Sequence, residues 1–207
     1  MTTSTDYAIN TFNEPVVAYS GEIDGAEAGG RRHGRRDARG RPQARTHHRP
    51  GTRARHEPGA RQTLQDRLDQ LASRGRNPAP AEIRFTTWML RYNKMFWITV
   101  DAMGEEWQRA RVNAKVEGNT IAATTSNVTA MHLDFERGLA PFPEGSKPVL
   151  KIDDATITLP AVSGDRSLRA ALVRNGGTWK IGELPAGLRK AHGPQGPIDD
   201  AFMGIGS

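Results

Sequence analysis

The chain has 207 residues, no cysteine, and a formal net charge of +6 on a composition that is 36% hydrophobic and 25% charged. The missing cysteines exclude disulfides, a thiol nucleophile and a thiolate metal site. No window approaches the roughly 18 consecutive apolar residues of a membrane span, and the N-terminus lacks the charged-then-apolar layout of a signal peptide, so the sequence reads as that of a soluble chain of one or two domains whose compartment stays open.

Residues 1–11 are polar. The run PVVAY at residues 15–19 then ends in SGEIDG at residues 20–25. A short apolar run closed by a glycine and acids is what a buried parallel strand looks like where it leaves a sheet, and that edge is where catalytic side chains gather in open α/β sheets. Glu22 and Asp24 would then rim a site. The same residues also read as a surface turn with two solvated acids.

Residues 31–61 contain no Val, Ile, Leu, Met, Phe, Trp or Tyr. Their eleven arginines face only Asp37 and Glu57, a surplus that exceeds the charge of the whole chain and leaves the remainder slightly acidic. Three readings compete. In a GC-rich gene a shifted reading frame yields mainly Arg, Gly, Ala and Pro codons, which would make the block an out-of-frame stretch. A disordered linker fits because no apolar side chain is present to offset ordering entropy. A nucleic-acid arm would neutralise phosphates, but no aromatic is interleaved to stack on bases, so nucleic acid ranks last as a partner.

Helical period returns over residues 62–74, where Leu64, Leu68 and Leu71 form one stripe opposite Asp66, Arg67, Asp69 and Gln70. Gly75 supplies the stop, and NPAP at residues 77–80 is a linker. The stripe needs a surface to pack on, and the strand at residues 15–19 is its natural partner.

From residue 81 to 187 the period is two. Residues 83–92 and 95–100 read as consecutive strands at hairpin distance. Residues 111–117 alternate cleanly, and Gly118-Asn119 turns the chain into residues 120–124. Further strands are predicted at residues 130–135, 149–152, 156–159, 170–174 and 178–182, with Asn175-Gly176-Gly177 turning the last pair. Short strands with polar turns at this spacing predict an antiparallel sandwich.

The sequence holds little overt chemistry. A serine hydrolase needs a nucleophile on a strained turn, an imidazole and an orienting carboxylate, and G-x-S-x-G occurs nowhere. His33, His47, His48 and His56 belong to the basic block and read as solvated; His132 alternates outward beside Asp134; His192 lies in a Gly/Pro-rich tail. No phosphate loop or metal-ligand spacing is present, so neither cofactor nor metal is expected. Trp88, Tyr92, Phe96, Trp97 and Trp107 could form an aromatic platform, but at alternating strand positions they read as core.

Four segments together resemble bacterial α/β-hydrolases of the prolyl oligopeptidase-like type that carry a hydrolase domain followed by a β-rich domain: EPVVAYSGEID at residues 14–24, FTTWMLRYNKMFW at 85–97, NVT at 127–129 and GPQGPIDDAFM at 193–203. The resemblance implies that the strand ending near Ser20-Gly21 leads into the loop of the triad acid, with Asp24 the first candidate and Glu22 the second. A helix, a strand and a His-bearing loop should follow, with Gly-His-x-Tyr just before Glu57-Pro58-Gly59-Ala60. Here Ala54 stands where the family's His would be and His56 where its Tyr would be, and the nucleophile would lie upstream of residue 1.

The expectation is therefore a mostly β chain. A remnant of an α/β-hydrolase domain (1–30) precedes a disordered basic block (31–61), an amphipathic helix (62–75), an antiparallel β-sandwich (81–187) and a flexible tail (188–207). The parent would hydrolyse a peptide or ester, the sandwich would pack on a hydrolase domain, and this chain, lacking Ser and His, would be inactive. The alternative is a sandwich that binds carbohydrate or a protein partner.

Overall fold

The computed structural model describes residues 4–21, 44–49, 58–105 and 107–183. The chain divides into two compact units, residues 1–77 and 78–207.

In the first unit a 3-10 helix, Ser4–Phe12, leads into strand β1, Val16–Gly21, which pairs in parallel with β2, Ala44–Arg49. Helix α1 spans Pro58–Arg74. It starts four residues before the span expected from the leucine period. Proline suits the first helical position, where its missing N–H would have had no partner, and a Thr63 to Gly59 hydrogen bond of 3.0 Å follows in that turn. The exposed side is laced at i, i+4 by Gln62 to Asp66 and Gln65 to Asp69, at 2.7 and 3.0 Å. Gly75, at a φ of +68°, ends the helix with its N–H on the Ala72 carbonyl.

Within the basic block, residues 44–49 form a short strand. Ladder hydrogen bonds are made by the main chain, so a polar segment can pair once a neighbouring strand presents its edge. The rest of the block, apart from the first residues of α1, lies outside the described residues, as does the predicted tail at 188–207.

The second unit is mostly β, and its strands form two five-stranded sheets. The first sheet contains β3 (Glu82–Thr87), β6 (Ala110–Glu117), β7 (Thr120–Ser126), β9 (Val149–Ile152) and β10 (Ala155–Thr158), in the spatial order β10-β9-β7-β6-β3. The second contains β4 (Lys94–Met95), β5 (Ile98–Met103), β8 (Val128–Phe135), β11 (Leu168–Asn175) and β12 (Thr178–Ile181), in the order β12-β11-β8-β5-β4. Every pairing in the two sheets is antiparallel except β7 with β9.

Alternation explains the core. Val112 and Ala114 of β6, Ile121 and Ala123 of β7, and Leu150 and Ile152 of β9 are buried on one side, while Ile98, Val100, Leu133, Leu168 and Leu172 are buried in the other sheet. Trp97 stacks on Phe135 at 4.8 Å between ring centroids, and Phe142 meets Phe135 edge-on at 5.9 Å. The Trp97 indole N–H donates to the Pro80 carbonyl at 2.9 Å, so the largest core side chain also has its polar atom satisfied.

The β6–β7 hairpin forms as its sequence predicts: Glu117 pairs with Thr120 across Gly118-Asn119, and Gly118 has a φ of +58°. Gly176 and Gly177, both at positive φ, turn β11 into β12. The expected hairpin between residues 83–92 and 95–100 does not form. After β3 the chain makes a 3-10 turn at Leu90–Tyr92, buries Leu90, and crosses to the other sheet, where Phe96, at a φ of +53°, and Trp97 turn β4 into β5. Alternation specifies a strand and its buried face, but two strands with the same pattern fit equally well in one sheet or in two facing ones.

Candidate functional site

The parallel register of β1 and β2 runs from Val16 opposite Ala44 to Gly21 opposite Arg49, so both strands end at the same edge of their sheet. Ligands collect at that C-terminal edge in parallel α/β sheets. The two candidate acids, Glu22 and Asp24, lie outside the described residues, as do Ala54, His56 and Glu57.

The sandwich carries three polar constellations that sequence reading did not assemble. On the outer face of the second sheet the His132 Nδ1 lies 3.0 and 2.9 Å from the two carboxylate oxygens of Asp101. Both residues are mostly buried, at 20% and 28% side-chain exposure, and Thr99, itself buried, is His132's partner in the ladder. His132 was expected outward beside Asp134; its carboxylate partner is instead Asp101, one strand over. Asp101 is an extra residue in β5 between Val100 and Ala102, which pair with Met131 and Ala130. Such a bulge re-aims its side chain, and no local pattern announces it. The pair fixes the imidazole's orientation. Among the described residues no group of three or more His, Asp or Glu is placed to hold a metal.

A second constellation joins the two sheets. Asp153 follows β9 at a φ of +48° and accepts hydrogen bonds from the Thr125 N–H, the Thr125 hydroxyl and the Trp179 indole N–H at 2.7, 2.7 and 2.9 Å. Burial of the carboxyl opposes its ionisation, but the Thr125 and Trp179 donors and the nearby Arg174 charge together outweigh that and hold its pKa below the ordinary value. Trp179 is only 3% exposed and belongs to the second sheet, so this carboxylate ties the edge of one sheet to the other.

The third constellation is a loop built on Asn127. This residue turns β7 into β8 at a φ of +56°; its amide accepts from the Glu105 N–H at 2.7 Å and donates to the Glu105 and Gln108 carbonyls, each at 2.9 Å. Asparagine tolerates that backbone and supplies both donor and acceptor. The loop so held presents Trp107, which is 82% exposed. Arg109 lies over the Trp88 ring at 5.8 Å, and the buried Trp88 indole N–H has no hydrogen-bond partner among the described residues. Of the five aromatics read as core, Trp97 is buried and Phe96 packs against the core, whereas Tyr92 and Trp107 are exposed. None of these four lies in a strand, so strand periodicity could not tell which would be covered.

No described helix is long and apolar enough to cross a membrane. No protein-family model, curated protein or solved structure matches this chain.

Proposed function

We propose that the chain is a non-catalytic piece of a prolyl oligopeptidase-like serine hydrolase, in which the β-sandwich is an accessory domain and residues before 78 correspond to part of the α/β domain. The observation that carries this reading is the parallel pairing of β1 with β2, followed by α1. Parallel neighbours need a crossover connection, the signature of α/β architecture, and a strand at residues 44–49 falls where the resemblance implies one, between the acid loop and the His-bearing loop.

Catalysis by such a site is acyl transfer to water on a peptide or ester, and it needs serine and imidazole together. Ala54 stands at the aligned His position, no G-x-S-x-G is present, and Asp24 or Glu22 alone can only orient a base that is not there. Loss of either group lowers turnover by several orders of magnitude. The purified full chain incubated with a fluorophosphonate probe should show no mass increase by intact-protein mass spectrometry. A stoichiometric serine adduct would overturn the reading.

The runner-up is a recognition module, favoured by a separate observation: an open groove on the outer face of the first sheet, with apolar surface at its alanines and Asn113, Lys115, Thr124 and Lys151 among its lining residues.

A further inference from the structure

A row of side chains crosses the whole outer face of the first sheet. Cross-strand pairing sets Glu82 beside Lys115, Lys115 beside Ala122, Ala122 beside Lys151 and Lys151 beside Thr156. In the adjoining row Arg84 neighbours Asn113, and Asn113 neighbours Thr124. Ala122, set between two lysines, leaves a gap where its neighbours stand tall, and this gap is the floor of a groove of about 360 Å³. That volume falls within the roughly 300–1,000 Å³ of small-molecule sites. With strands about 4.8 Å apart, the two lysine backbones stand on the order of 10 Å from each other across the alanine.

The lysines are not equivalent. Lys115 is 2.5 Å from Glu117 on its own strand, and the lysine's hydrogen bond and charge hold that carboxyl below its ordinary pKa. Lys151, exposed on β9, has no carboxylate partner among the described residues. Across the groove stand the amide of Asn113, which reaches the Thr124 hydroxyl only at 3.5 Å and so keeps most of its hydrogen-bonding capacity, and Glu82, whose carboxylate is paired with Arg84 at 2.9 Å, while the Asp153 carboxylate is taken up by Thr125 and Trp179.

We propose that this groove binds an acidic saccharide, a pyranose ring bearing one carboxylate, with the carboxylate on Lys151 and the ring over Ala122. One ammonium with no carboxylate partner among the described residues suits a single negative charge. The Asn113 amide and the Thr124 hydroxyl exchange hydrogen bonds with sugar hydroxyls. The alanine methyl and the lysine stems offer apolar contact to the C–H face of a ring. No aromatic lines the groove, so binding is weak and screened by salt. The proposal rests on the recognition-module reading and is independent of any hydrolase ancestry.

The test is an amide-shift titration of the ¹⁵N-labelled full chain with trigalacturonate, with maltotriose and with inorganic phosphate. Trigalacturonate should shift the resonances of Asn113, Ala122, Thr124 and Lys151, and maltotriose should bind about tenfold more weakly, as expected when one charge-assisted contact is lost. Lys151→Gln should reduce trigalacturonate affinity to that of the neutral sugar, and Ala122→Leu, which fills the floor while altering no polar group, should abolish binding. Both positions are exposed on strands, and the unperturbed spectrum elsewhere reports that each variant is folded. Equal binding of maltotriose and trigalacturonate would overturn the acidic-sugar assignment and leave a recognition module. Shifts at these residues with phosphate matching those with trigalacturonate would reduce the site to a generic anion contact. No shift in the groove with either sugar would remove both the assignment and the recognition reading.

Discussion

The two units handle apolar surface in opposite ways. In the sandwich, side chains such as Ile83, Ile98, Leu133 and Leu150 are fully buried, and nearly every inward position of the central strands is closed. In the first unit none of the side chains whose burial is described is fully buried; Leu64 and Leu71 are half-covered and Leu68 is 51% exposed. A helix of this length gains most of its stability from packing an apolar face rather than from propensity. Two five-stranded sheets bury each other's inner faces, whereas the described helices and parallel pair of the first unit offer too little surface to enclose a core. Cooperative stability should therefore reside in residues 78–183, with the first unit contributing little to it.

The strongest way to break this contrast is to open the core. Trp97→Ala removes the stacked partner of Phe135 and the hydrogen bond to Pro80, and should cost about 3–5 kcal/mol. Urea unfolding followed by tryptophan fluorescence measures it, because Trp88, Trp97, Trp107 and Trp179 all lie in the sandwich. A loss below about 1 kcal/mol would show that the sheets do not form one cooperative core.

An intermediate effect is expected at the clasp between the sheets. Asp153→Ala leaves the Trp179 N–H and both Thr125 donors without their acceptor and should cost about 1–3 kcal/mol. Because the folded-state pKa of Asp153 is depressed, its stabilisation is complete above the unfolded value of about 3.9 and is lost as pH falls through the folded one. The wild-type chain should thus lose stability below about pH 4 more steeply than Asp153→Asn in parallel acid titrations of the urea midpoint. Identical acid limbs would assign that loss to other carboxyls.

The smallest effect sharpens the contrast from the other side. Leu68→Ser, on the exposed stripe of α1, should leave the tryptophan-reported midpoint unchanged within about 0.5 kcal/mol while lowering helical circular dichroism. A shift comparable to that of Trp97→Ala would mean that the two units unfold as one.

Much of the sandwich was legible because period-two patterns and turn chemistry are local. Residues 111–117, Gly118-Asn119 and Asn175-Gly176-Gly177 contain their own instructions, and strand β9 at Val149–Ile152 agrees with its predicted bounds. The assembled polar groups were not legible. Asp101 meets His132 through a bulge, Asp153 meets Trp179 from another sheet, and Lys115 and Lys151 come to flank Ala122 only because β9 pairs in parallel with β7. Each depends on register between segments distant in sequence. The triad acid candidates, Asp24 and Glu22, rest on the resemblance and on their place just beyond β1.

By itself, the sequence determined which residues alternate, where the chain turns, and that no thiol chemistry is available, since these follow from side-chain size, backbone freedom and composition. Only the tertiary structure decided that residues 83–87 and 98–103 belong to opposite sheets, that the basic block contributes a strand, and that one lysine with no carboxylate partner among the described residues faces a groove floored by alanine. The physical reason is common to all three. Local preference sets the conformation of a segment, but which segments become neighbours depends on the burial gained when whole faces meet.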